Sequence, residues 1–99
     1  MIKHIILWKL KEEYNTDVVK REMKCCLEDL NGKIPGLLEI KVQIDKLDTS
    51  NADVMLYSVL ENETALKDYF VNPIHVEAAN SKVRPFVETK LCMDFYLPE

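Results

Sequence analysis

The sequence predicts an α+β fold with element order β-α-β-β-α-β, and three observations carry that prediction. Residues 37–45, "LLEIKVQID", alternate apolar and polar, the two-residue period of a strand with one wet face. Val19, Met23, Cys26, Leu27 and Leu30 recur at helical spacing and form one apolar stripe. Asn72-Pro73 interrupts a second helical pattern between Ala65 and Lys82.

The elements follow in order. Residues 2–10, rich in Ile and holding Trp8, read as the first strand, and "EEYN" breaks it. Thr16 is a good N-cap for the first helix, with Asp17 in its first turn. Asn31 and Gly32 stop that helix, and Pro35-Gly36 marks the following turn. In the second strand, Leu38, Ile40, Val42 and Ile44 are expected on one face. A polar loop leads to a third strand at 53–61. Asn62 or Thr64 can cap a helix through Ala65, Leu66, Tyr69 and Phe70. Pro73 is at home at the first position of a new helix, expected over 73–82. Pro85 closes it, and residues 88–97 form the last strand. This is the ferredoxin-like, split βαβ order, an antiparallel sheet with helices on one face.

Composition bounds what the chain can be. Ninety-nine residues make one small domain, residues 1–99. Thirteen basic and 17 acidic residues give a net charge of −4, with the cations scattered among acidic neighbours. This argues against nucleic-acid binding. Cys25, Cys26 and Cys92 have neither a disulfide nor a zinc-motif spacing, so free thiols in the cytoplasm are expected. The N-terminal apolar run is too short to span a bilayer and lacks a cleavage site, so no membrane partner is expected. The only two glycines flank a turn, so there is no phosphate-cradling loop.

The first and third strands are apolar on both faces. Ile2, Ile6, Trp8 and Leu10 share one face with His4, and Ile5 and Leu7 occupy the other. Met55, Tyr57 and Val59 similarly oppose Val54, Leu56 and Leu60. Helices cover only one face of such a sheet, so a homodimer through the other face is expected.

"MIKHIILWKLK", "IPGLLEI", "YFVNPIHV" and "MDFYL", in that order over nearly the whole chain, resemble the stress-responsive A/B barrel (Dabb) family. The resemblance implies a dimeric α+β barrel in which two ferredoxin-like sheets face each other. Some plant members resemble or act as polyketide cyclases that close a poly-β-keto chain by aldol chemistry. In them a Tyr and a His of a Y-x-x-H-P-x-H stretch serve in the pocket. Carried over, these fall on Tyr69 and His75, and the strand histidine on His4; Asn72 stands where the first histidine of that stretch is expected.

The candidate chemistry centres on His75 and Tyr69. His75 lies in the first helical turn after Pro73, where the positive helix end disfavours an imidazolium, and neutral imidazole suits a general base. Its plainer alternative is to pack the helix start. Tyr69 can donate to a developing enolate, or it is a core aromatic with its hydroxyl at the rim. In an unbroken helix six residues subtend about 600°, which separates the two side chains; the Asn-Pro break resets that angle. His4 is either a hydrogen-bonded core histidine or, with Asn72, part of a ligand-binding wall. Asp94 and Glu77 could in principle join the histidines around a metal, but no ligand spacing recommends them, and neither metal nor cofactor is expected. Binding of a small apolar or aromatic ligand is the first functional expectation. A cofactor-independent cyclase-like enzyme is the alternative, and a cofactor-free monooxygenase the weaker one.

Overall fold

The computed structural model describes residues 1–98. The chain forms β1 (Ile2–Leu10), α1 (Asp17–Glu28), β2 (Leu37–Gln43), β3 (Val54–Leu60), α2 (Glu63–Val71), α3 (Pro73–Lys82) and β4 (Val87–Tyr96). Single 3₁₀ turns precede α1 and β4. The four strands make one antiparallel sheet in the order β2-β3-β1-β4. This is the ferredoxin-like arrangement, with β1 central and β2 and β4 at the edges.

Each helix begins on a residue suited to it. The Thr16 hydroxyl accepts from the Val19 N–H at 3.3 Å, and the Asn62 amide oxygen from the Ala65 N–H at 2.9 Å. Asn72 ends α2 in an extended conformation that the following proline favours, and its amide oxygen then accepts from the Ile74 N–H at 2.9 Å. One residue thus closes one helix and caps the next.

The core lies between the helices and one face of the sheet. Met23, Leu27 and Leu30 from the α1 region pack with Ile6, Trp8 and Leu56 from the strands. Each such side chain contributes about 1.5–3 kcal/mol by leaving water. The outer edge of β2 is satisfied by side chains at Val42. Glu28 accepts from the Val42 N–H at 3.0 Å, and Lys24 donates to the Val42 carbonyl at 2.7 Å and to Glu28 at 2.8 Å. Backbone groups so occupied at Val42 are withheld from pairing with another chain.

One expected face needs correcting. Leu38 does not join Ile40 and Val42 inside; it is 46% exposed, and Leu37 is buried instead. The register shifts between Leu37 and Glu39, so Leu38 is the extra residue of a bulge and the alternation restarts after it.

The sheet face away from the helices is apolar across β3, β1 and β4, as both-sided strands require, while β2 presents Glu39, Lys41 and Gln43 there. Directly paired residues share a face, which groups Ile5 with Tyr57 and Met93, and Leu7 with Met55 and Leu91. Leu91 is 73% and Met93 66% exposed in the single chain.

Candidate active site

The break between α2 and α3 builds the site. Tyr69 occupies the last full turn of α2 and His75 the first turn of α3. The turn at Asn72 folds α3 back, so the two rings approach to 4.1 Å between centroids, tilted by 35°. They line one cavity of about 240 Å³ under the helices. Ile6, Trp8, Leu56 and Phe70 supply its apolar walls. Arg84 and Lys90 also line it, and no carboxylate does. Neither cation forms an ion pair among the described residues, although Arg84 donates to the Asn80 amide oxygen at 2.6 Å.

Burial sets the protonation of both rings. It lowers the His75 pKa from its ordinary 6.5; the Phe70 carbonyl pulls the other way, while the charges of Arg84, His4 and Lys90 add to the lowering. Burial therefore keeps this imidazole neutral at pH 7. Its Nδ1 is buried with no hydrogen-bond partner. Tyr69 is fully buried, and desolvation raises its phenol well above the ordinary value, so it stays protonated. A neutral imidazole and a neutral phenol thus stand side by side in one cavity. One can accept a proton and the other can donate a hydrogen bond.

His4 and Asn72 stand outside that lining. Asn72 spends its side-chain oxygen on the α3 cap. His4, 1% exposed, lies against the edges of the Phe70 ring at 5.3 Å and the Tyr69 ring at 6.1 Å. Its Nδ1 pairs with the Asp94 carboxylate, which fixes the tautomer and leaves Nε2 without a partner. Ser58, opposite His4 on β3, is also buried with an unpaired hydroxyl. Ser58, Arg84 and Lys90 escape sequence reasoning, which reached Asp94 only as a possible metal ligand. Their placement depends on strand register and on the path after α3, which no local pattern encodes.

The stress-responsive A/B barrel domain matches residues 2–97, so the chain belongs to that family. Among curated proteins none matches. Solved structures do. A dimeric protein of unknown function with a ferredoxin-like fold from Bacteroides fragilis is 29% identical, with 97% of this chain and 95% of that one covered and a TM-score of 0.87. A Dabb family protein with a ferredoxin-like fold from Mesorhizobium loti is 18% identical, with 99% and 96% covered and a TM-score of 0.78. A hydroxynitrile lyase from Passiflora edulis is 16% identical, with 99% and 94% covered and a TM-score of 0.83. These last two share the fold.

Proposed function

We propose that this stress-responsive A/B barrel chain is a cofactor-independent proton-transfer enzyme acting on a small, largely apolar carbonyl compound. The observation that carries this reading is the Tyr69–His75 pair, 4.1 Å apart and lining one cavity. At about 240 Å³ the cavity is smaller than the roughly 300–1,000 Å³ of drug-sized sites, which suits a small metabolite. Arg84 and Lys90, with no acidic residue opposite, favour a substrate that carries an anionic group.

The chemistry follows from the two protonation states. The substrate carbonyl accepts a hydrogen bond from the Tyr69 hydroxyl. His75 removes the proton from the adjacent carbon, the electron pair moves to the carbonyl oxygen, and Tyr69 stabilises the enolate there. The enolate carbon can then attack a second carbonyl of the same molecule, and the proton held by His75 returns to the new alkoxide. Atoms and charge balance with no added oxidant or reductant. Relatives described as dimeric and the apolar outer sheet face support a homodimer through that face.

The test is deuterium uptake by 1,3-dicarbonyl carboxylates incubated with the protein in D₂O. His75→Ala should slow enzyme-dependent exchange by about 10²–10⁴-fold. Tyr69→Phe keeps the ring and removes the donor, and should slow it by about 10²–10³-fold. Tight binding of these compounds with exchange no faster than in buffer would make the chain a ligand carrier and end the enzyme reading.

A further inference from the structure

We propose that His4, Cys92 and Asp94 form a binding site for a thiolate-accepting divalent cation, Zn²⁺ by its chemistry. The three lie together although His4 and Asp94 are 90 residues apart in sequence. Strand pairing causes this. His4 sits directly opposite Asp94 on β4, and Cys92 lies two residues earlier on the same face of that strand. The Nδ1, Sγ and carboxylate oxygen atoms all lie within 4.8 Å of one another.

The distances suit tetrahedral coordination. Zn–S near 2.3 Å and Zn–N near 2.0–2.1 Å imply an S···N edge of about 3.5 Å and an N···O edge of about 3.3 Å. The Cys92 Sγ lies 3.7 Å from His4 Nδ1, and 3.7 and 3.8 Å from the two Asp94 oxygens. Only the His4–Asp94 hydrogen bond must open. Asp94 is an exposed residue on an edge strand, so a side-chain rotation accomplishes this. Nitrogen, thiolate and carboxylate are a donor set that zinc accepts, and water completes the fourth position. Binding releases the Cys92 thiol proton to solvent, moves the His4 proton from Nδ1 to Nε2, and changes no oxidation state. The anchor is rigid because His4 is 1% exposed, whereas Cys92 and Asp94 open to solvent and let the ion enter. An ion there would tie edge strand β4 to central strand β1.

The test uses the full chain, purified with chelator and phosphine reductant and then titrated with Co²⁺ and Zn²⁺. One Co²⁺ per chain should bind with a thiolate-to-cobalt charge-transfer band in the near ultraviolet. Cys92→Ser should abolish that band, and Cys25→Ser should keep it. Calorimetry should show Zn²⁺ affinity falling in Cys92→Ser and Asp94→Asn by more than the roughly 10–100-fold expected for losing a group one shell further out. Zinc should also raise Tm of the parent chain but not of Cys92→Ser. Both substitutions fall on exposed positions, and circular dichroism checks that the fold is kept. No charge-transfer band in the parent chain, or a band that survives Cys92→Ser, would overturn the site.

Discussion

Replacing Gly36 with alanine should destabilise the chain far more than the same change at Gly32. Both glycines have left-handed backbone, with φ of +82° and +81°. A side chain in that region costs about 1–2 kcal/mol at either position. At Gly32 an added Cβ meets nothing within 4 Å, so the cost ends there. At Gly36 it would lie 2.6 Å from the Ala65 Cβ, at the start of α2. Overpacking of this kind costs a further 1–3 kcal/mol or so. Thermal unfolding at fixed protomer concentration should therefore separate the variants by roughly 4–24 °C in Tm. Adding Ala65→Gly to Gly36→Ala removes the clashing atom and should recover the steric part, less about 1 kcal/mol of helix propensity. Equal losses in the two single variants, or no recovery in the double one, would refute the steric account. The pair matters to the site because α2 carries Tyr69, and a displaced α2 start moves the whole helix.

Asp53 and the outer sheet face carry two further predictions. Asp53 is 2% exposed and accepts from the Leu10 N–H at 2.9 Å and from Lys46 at 2.8 Å. Burial alone would raise its pKa, but the Lys46 and Leu10 hydrogen bonds win and hold it below the ordinary 3.8. Its stabilisation is therefore complete above that value and is lost as pH falls through the lower folded one. His75, buried neutral, withdraws stability earlier, as pH drops below 6.5 toward its depressed folded value. Asp53→Ala should cost about 2–4 kcal/mol at pH 7 by urea unfolding and should flatten only the more acidic of these two limbs. On the outer face, Met93→Glu should convert a dimer to monomers in sedimentation at micromolar concentration, because it buries like charges across a two-fold interface. An unchanged dimer would place the interface elsewhere.

The elements were legible in the sequence because each obeys a local rule. The Thr16 and Asn62 caps and the Asn72-Pro73 break are local signals, and the structure places α1, α2 and α3 where those signals fall. Leu38 shows where such a rule stops. A period of two cannot reveal a bulge, so the count began on the wrong residue. The convergence of Tyr69 and His75 was half legible. The break permits it, but the angle between α2 and α3 comes from tertiary packing of Ala78, Ala79 and Val83 into the core. The His4–Asp94 contact was illegible, because it needs the β1–β4 register. Phe70 falls on the α2 stripe in sequence and is 40% exposed in the fold, where it walls the cavity and meets His4 edge-on.

The most direct test of the proton-transfer account is the pH profile of enzyme-dependent deuterium exchange, measured as kcat/KM on one 1,3-dicarbonyl carboxylate. Its acid limb reports the base of the free protein. The account predicts a limb with its midpoint below 6.5, coinciding with the NMR titration of His75, and no such limb in His75→Ala. An acid limb that persists unchanged in His75→Ala would contradict it.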